Sequence, residues 1–424
     1  MLSNPPGIED IFPDQIDRWN FIVDTARDVC RTFNYKEIII PVLEYTEVFA
    51  RGLGDETDIV SKEMFTFEDR GGRSLTLRPE GTASVVRAYA GNGDYNRLAA
   101  SKFFYFGPMF RAERPQKGRL RQFNQFGVEF FGSSHPYYDY EVIAVMDAVS
   151  KRIGVGDYEL LLNSIGCPEC RGNYIRDLEN YYRSHVDELC DDCRRRLEKN
   201  TLRLLDCKQE GCNALKKNAP VINEYLCETC VTHHSSLKEL LTGHGISFKE
   251  DPHLVRGLDY YTKTTFEFVT TKLGGQNAFA AGGRYDNLVE LFGGKPTPAV
   301  GFAAGIERIM LIIQNERIPR RAVDAYIIHS GNATLSRAIE LAEILRKNGI
   351  SADIDPNAKG FKNQFKKADR ENAKFSLIIG EEEIEKNSVT LKHMSSGDQQ
   401  QVEMRDCVEA LRKSLNNDTD NEQG

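Results

Sequence analysis

Between positions 121 and 131 the chain reads RQFNQFGVEFF, and this stretch restricts the fold more than any other. Successive side chains of a β-strand point to opposite faces. One face then carries Arg121, Phe123, Gln125, Gly127 and Glu129, and the other carries Phe126, Val128 and Phe130. The apolar face requires a core. The opposite face joins an arginine, an aromatic ring, an amide and a carboxylate, with a glycine between the last two. It reads either as a polar floor built to hold a ligand or as an edge strand wetted by solvent.

At 424 residues the chain is too long for one hydrophobic core, which predicts two or three domains. Apolar residues make up 40% and charged residues 28%, an ordinary globular balance. Residues 15–33 read as an amphipathic helix, with Ile16, Trp19, Ile22, Val23, Ala26 and Val29 near helical spacing. KEIIIP after it reads as a strand stopped by Pro41. Further strands are expected at 101–106 and 264–270, and a helix at 303–313. ERIPRRA at 316–322 is a charged, Pro-containing break that marks a domain boundary. Beyond it, strands alternate with helices over 323–414, the pattern of a small, mostly parallel α/β domain. The polar tail, 415–424, is expected to be disordered.

Eight of the ten cysteines lie between Cys167 and Cys230, inside a helical, Cys-rich insertion expected over 167–250. Cys167, Cys170, Cys190 and Cys193 form C-x2-C, nineteen residues, C-x2-C, the spacing of a closed four-thiolate zinc site. Cys207, Cys212, Cys227 and Cys230 make a second set of similar form. Structural Zn²⁺ is one reading; free thiols in an insertion held by apolar contacts is the other. His233 and His234 are spare ligand candidates.

No run approaches the roughly 18 to 20 apolar residues of a membrane span, and the opening MLSNPPGIEDIF carries no export signal, so the expected compartment is the cytoplasm. A net charge of −8 argues against a dedicated nucleic-acid coat. Three local basic groups remain: Arg111, Arg114, Lys117, Arg119 and Arg121; Arg194, Arg195, Arg196, Lys199 and Arg203; and Lys359, Lys362, Lys366, Lys367, Arg370 and Lys374. The second and third fit solvated helix faces as well as ligand contacts. Arginine and glutamate recur in Arg78-Pro-Glu80-Gly-Thr82, Arg111-Ala-Glu113-Arg114, Arg256-Gly-Leu-Asp259-Tyr-Tyr261 and Gly305-Ile-Glu307-Arg308. Guanidinium forks suit the oxygens of a triphosphate. Neither a Walker loop nor a dinucleotide fingerprint is present, so phosphates would be held by side chains on a sheet.

These residues carry a family resemblance. Residues 41–54, 104–131 and 299–313 resemble motifs 1, 2 and 3 of the class II aminoacyl-tRNA synthetases. LVRGLDYYTKTTFEF at 254–268 and AGGRYD at 281–286 resemble the two histidine-specific motifs of the histidyl-tRNA synthetases. The resemblance runs to about residue 414. It implies a catalytic domain over 1–320 with an α+β fold built on an antiparallel sheet, interrupted by the insertion, and an α/β anticodon-binding domain over 323–414.

The implied activity is ATP-dependent ligation of L-histidine to its tRNA through a histidyl-adenylate, forming AMP and diphosphate. Arg111, Arg256 and Arg308 would be the catalytic residues. For ATP, the resemblance implies Arg111 on the α-phosphate, Glu113 beside the adenine, Phe123 stacked on the base, Arg308 on the far phosphate and the other adenine face, and Arg121 nearby. For histidine it implies Glu80, Thr82, Arg111 and Gln125 at the amino and carboxylate groups, Glu129 and Tyr261 at the ring nitrogens, Tyr285 closing the pocket, and Arg256 and Tyr260 beside it. A neutral imidazole has one donor and one acceptor nitrogen, so a carboxylate facing one and a phenol facing the other discriminates against an apolar isostere. Mg²⁺ is implied on the outer phosphates, Arg114 and Gln116 on the tRNA acceptor end, and a homodimer through the Pro41 region. Two rival readings are a histidine-sensing regulatory relative of ATP phosphoribosyltransferase without catalysis, and an RNA-binding zinc module on an inactive synthetase core.

Overall fold

The computed structural model describes every residue except 1, 55, 56, 58, 94, 276, 315–317, 319–321, 358, 359, 423 and 424. Most of the expected boundary at 316–322 therefore lies outside the described residues. The chain divides into two compact units, Met1–Ile318 and Pro319–Gly424. No described helix is long and apolar enough to cross a membrane.

The first unit is organised by an eight-stranded sheet. Its strands are β1 (Lys36–Glu37), β2 (Ser101–Phe110), β3 (Gln122–Phe131), β4 (Glu159–Ser164), β5 (Lys249–Glu250), β6 (Thr262–Val269), β7 (Ala278–Arg284) and β8 (Ala299–Gly305). They lie in the order β1-β2-β3-β8-β7-β6-β4-β5. The six longer strands pair antiparallel throughout, and only the two-residue strands at the edges pair parallel.

β3 separates two cores, as its alternation requires. Phe126, Val128 and Phe130 pack with Ile22, Ala26 and Val29 of helix Pro13–Thr32 and with Val142, Val145 and Val149 of helix Pro136–Ile153. Phe123 and Phe131 face the other core, with Phe49, Leu53, Val86, Tyr105, Tyr261 and Tyr285. The polar positions Gln125 and Glu129 are buried on this second side, which rules out an edge strand wetted by solvent.

Three elements depart from expectation. KEIIIP pairs only through Lys36 and Glu37, because the Arg78 guanidinium takes the Ile40 and Pro41 carbonyls at 2.6 and 3.1 Å and draws the chain off the sheet. The chain then joins a small sheet of Leu43–Tyr45, Phe65–Glu68 and Ser74–Leu77. The helix expected at 303–313 is confined to Ile306–Met310, since Ala303, Ala304 and Gly305 complete β8 between β3 and β7. The third departure is in the second unit, where helix Cys407–Glu422 runs through most of the tail expected to be disordered. Once Cys407 and Leu411 are docked in a core, each added residue gains a backbone bond without a new nucleus.

The insertion is helical as expected, through Pro168–Ser184, Asp191–Lys199, Glu210–Lys216 and Glu228–Gly243. In the second unit, Ala352–Ile354, Ala325–His329 and Phe375–Ile379 pair parallel, and Ser388–His393 and Gln399–Glu403 extend the sheet antiparallel. The sheet is therefore mixed: the last two strands are joined by a short turn, which permits only antiparallel pairing.

Candidate active site

A cavity of about 840 Å³ opens over the polar face of β3. Glu80, Thr82, Arg111, Glu113, Phe123, Gln125, Arg256, Tyr260, Tyr261 and Arg308 line it, so ten of the residues singled out in the sequence meet in one space. Local structure holds each in place. The Glu80 carboxylate accepts the Thr82 and Ala83 amides at 2.7 and 2.8 Å, satisfying free N–H groups at the start of helix Thr82–Gly91. Arg111, just past β2, donates Nε to the Pro79 carbonyl at 2.9 Å and lies 5.2 Å over the Phe123 ring. Arg308 donates to the Gly118 carbonyl at 3.0 Å and to that of Ala278. Glu307 accepts the Asn124 amide and side chain at 2.9 Å, tying the short helix to β3.

The cavity is densely charged, its arginines and lysines interleaved with carboxylates such as Glu80, Glu113, Glu267 and Glu307. Burial and the neighbouring Arg119 guanidinium hold the Arg308 pKa below its ordinary value, with a smaller contribution from Arg111 and partial relief from Glu113 and Glu267. Desolvation is the largest influence on the partly buried Arg256 and disfavours its charge, but Glu267 on β6, its ion-pair partner, acts together with Tyr261, Asp206 and Tyr260 to outweigh that cost and raise its pKa. Arg256 Nε and Gln125 Oε1 are buried without a hydrogen-bond partner among the described residues. Such orphaned groups are costly unless a ligand satisfies them.

Glu129 and Tyr285 lie one layer deeper and do not line the cavity. Glu129 is fully buried; Oε1 accepts Thr82 Oγ1 at 2.6 Å and the Tyr105 hydroxyl at 3.4 Å, and Oε2 accepts the Tyr285 hydroxyl. Burial, assisted by the nearby Glu80 charge and opposed by these hydroxyls, pushes the Glu129 carboxyl up to about 8. Two glycines make room for this layer. Gly127 faces Tyr105 across the β2–β3 pair, and a Cβ there would sit 2.1 Å from the phenol ring; at Gly301 it would sit 1.8 Å from Glu129 Oε2. The glycine on the polar face thus admits a tyrosine from the next strand rather than a ligand.

Other expected residues fall elsewhere. Arg121 is not on the floor: its Nε donates to the Glu113 carbonyl at 3.1 Å and its amide to Gly7, so it shapes the loop after β2. Arg114 and Gln116 are exposed on that loop. Arg78 is spent on backbone carbonyls and Arg284 on Asp139 and Asp286, which removes both from ligand binding. Sequence reasoning missed Tyr105 and Glu267. Arg196 and Arg203 line the cavity although their basic group also reads as a solvated helix face. The one available signal for Tyr105 was an aromatic strand, FFYF, expected beside a strand that contains a glycine.

The cysteines converge as two tetrads, but not in the expected sets. Cys167 and Cys170 meet Cys227 and Cys230, while Cys190 and Cys193 meet Cys207 and Cys212. The reason is the path of the chain: helices Pro168–Ser184 and Glu228–Gly243 bring the two ends of the insertion together and leave the middle pairs to each other. His233 lies 3.3 Å from Asp139, and His234 3.2 Å from Glu250; neither joins a tetrad.

The family described as histidyl-tRNA synthetase matches residues 7–309, and the anticodon binding domain matches 324–414. A histidine--tRNA ligase of Halothermothrix orenii is 48% identical over 415 residues, 97% of this chain and 99% of the relative. One of Natranaerobius thermophilus is 44% identical over 418 residues, with 97% and 99% covered. The apo histidyl-tRNA synthetase structure from S. aureus superposes with a TM-score of 0.79 at 36% identity, covering 97% of this chain and all of that one. A Bacillus halodurans structure described as an ATP phosphoribosyltransferase regulatory subunit/histidyl-tRNA synthetase gives a TM-score of 0.64 at 25% identity, covering 90% and 98%.

Proposed function

The chain belongs to the histidyl-tRNA synthetase family, and from that premise we propose that it joins L-histidine to its tRNA with ATP, through a histidyl-adenylate, releasing AMP and diphosphate. The observation that carries this reading is the meeting of Arg111, Arg256 and Arg308 in one cavity above a floor containing Gln125, with Glu129 one layer beneath it and bonded to the lining residue Thr82. In the first step the histidine carboxylate attacks the α-phosphorus. The nucleophile is already an anion, so no protein base is needed and the demand is electrostatic. Arg111 and Arg256 stabilise the charge that develops on the α-phosphate, and Arg308 holds the outer end. Phe123 offers its ring to the adenine. Gln125 Oε1 accepts from the histidine ammonium. Glu129, reached past Thr82 and Tyr285, reads one imidazole nitrogen and Tyr261 the other.

Glu307, which lines the cavity, would offer oxygen donors of the kind Mg²⁺ prefers. An ion bound there together with ATP would supply charge neutralisation on the outer phosphates. The cysteine tetrads suit a thiophilic, tetrahedral ion, which makes zinc the first choice.

The exposed Arg114 and Gln116 serve the acceptor end of tRNA, and the C-terminal unit serves the anticodon through Lys362, Lys366, Lys367, Arg370 and Lys374; Lys359 of that group lies outside the described residues. A homodimer forms through the exposed apolar side chains Ile39, Leu43, Tyr45 and Phe67. The working compartment is the cytoplasm.

Histidine-dependent exchange of pyrophosphate into ATP tests the activity. Arg256→His should lower exchange turnover by about a hundredfold or more, with histidine affinity largely kept, because the lost contact belongs to the transition state. Tight histidine binding with no exchange in the unaltered chain would instead identify a histidine sensor.

A further inference from the structure

The insertion has one small core of its own, into which Cys193, Cys207 and Cys212 are packed. That core gathers around Tyr174, Leu178, Tyr182, Leu197, Leu204 and Leu205, and a single core of this small size supplies only a few kcal/mol, which a cross-link or an ion would add to. The cysteines stand where such ties would act. One tetrad joins the chain as it leaves β4 to the chain as it returns at helix Glu228–Gly243; the other lies inside that loop. In each, the four Sγ atoms are within 4.8 Å of one another. The Sγ···Sγ separations are 3.5 Å for Cys167–Cys170, 4.0 Å for Cys167–Cys227 and 3.9 Å for Cys190–Cys207. Sulfurs placed tetrahedrally at about 2.3 Å from zinc would be about 3.8 Å apart, whereas a disulfide needs about 2.05 Å.

Backbone amides also turn toward the sulfurs. The Cys227 N–H donates to Cys170 Sγ at 3.1 Å and the Cys190 N–H to Cys212 Sγ at 3.4 Å, each within its own tetrad. Cys167, Cys190 and Cys227 each immediately precede a helix, where the helix dipole favours an anionic ligand.

The inner tetrad adjoins the catalytic cavity. Cys190 and Cys207 line it, as do Arg196 and Arg203. The segment between them grips the loop that carries Arg256: Asn200 donates to Asp259 at 2.6 Å, and Arg203 lies so close over Gly257 that a Cβ there would be 2.7 Å from its guanidinium. Val255 packs on the insertion core. Arg256 therefore sits between contacts made by a segment whose far end is Cys207.

We propose that each tetrad binds one zinc ion in nested pairing: Cys167, Cys170, Cys227 and Cys230 close the neck of the insertion, while Cys190, Cys193, Cys207 and Cys212 fix a wall of the catalytic cavity and through it position Arg256. The positioning role rests on the histidine-activation reading; the metal content and pairing do not.

Elemental analysis of the full chain, purified in reductant, should find one zinc per tetrad. The double variant Cys167→Ser/Cys227→Ser separates the pairings. Nested tetrads lose one zinc and keep the other, whereas the pairing in sequence order would lose both. Cys190→Ser/Cys207→Ser should remove the inner zinc and lower the specificity of pyrophosphate exchange, kcat/KM, by up to about a hundredfold, the scale of a displaced catalytic contact. Should that variant not fold, the unaltered chain can be stripped with a chelator, freed of it, and assayed with Mg²⁺ before and after zinc is restored. Exchange that falls and returns with zinc supports the wall. Less than about half an equivalent of zinc per tetrad, about one per chain, against the one ion that each closed site holds, overturns the metal sites. Loss of both ions from the Cys167→Ser/Cys227→Ser chain overturns the nesting, and exchange indifferent to complete zinc removal overturns the positioning role. A chain that never exchanges pyrophosphate leaves the zinc counts readable, so failure of the activity and failure of the metal sites are told apart.

Discussion

Glu129 shows how a single buried side chain ties a proposed specificity role to stability. Its carboxyl is pushed up to about 8 from an ordinary 4.5, chiefly by burial. Between those values the folded chain holds a proton that the unfolded chain has lost. The contribution to stability is therefore fully present below about 4.5 and is lost as pH rises through about 8. Glu129→Gln, neutral at every pH, should flatten this decline, as read from urea midpoints across that window; an unchanged slope would place the linkage on another group. The same substitution should weaken histidine binding by about 0.5–1.5 kcal/mol, roughly two- to tenfold, the range for a hydrogen bond between neutral groups, since the carboxyl keeps its proton below about 8. Calorimetric titration that finds the affinity unchanged would move the imidazole site elsewhere. At this scale the sequence was informative. Face parity alone grouped Phe123, Gln125 and Glu129, but it could not show that Glu129 is engaged by Thr82 and Tyr285, because both hydroxyls arrive from distant segments.

Among the elements, β3 and its neighbours depend on missing side chains. Tyr105 occupies the space a Cβ on Gly127 would need, and Glu129 the space a Cβ on Gly301 would need. Gly127→Ala should cost about 1–3 kcal/mol by overpacking and raise KM for histidine, since Tyr105 must move and Glu129 loses one of its hydroxyl partners. A second substitution, Tyr105→Ala, should not add its full cost to the first, because the two groups compete for one space; strict additivity in denaturation would contradict the close approach. Elements set by local pattern were legible, including helix Pro13–Thr32 and the alternating strands and helices of the second unit. Those that were misjudged, 36–41, 303–313 and the C-terminal tail, were decided by distant contacts such as Arg78 on the Ile40 carbonyl or Leu411 in its core.

For the whole molecule, the exposed apolar group of Ile39, Leu43, Tyr45 and Phe67 bears on assembly. Ile39 is 92% exposed, an unfavourable state for a large aliphatic side chain. Ile39→Asp should shift sedimentation from dimer to monomer, since it buries an unpaired charge in the proposed interface; a chain that is monomeric before the change, or dimeric after it, would place the interface elsewhere. What the sequence by itself determined was the family, the order of its motifs, the polar face of β3 and the presence of metal-spaced cysteines, because alternation and local spacing survive in one dimension. Only the tertiary structure decided which cysteines meet, which arginines face the cavity and which are spent on carbonyls, and that Tyr105 fills the glycine gap. Each of these depends on which distant segments the chain path brings within a few ångströms, and local spacing carries no record of that path.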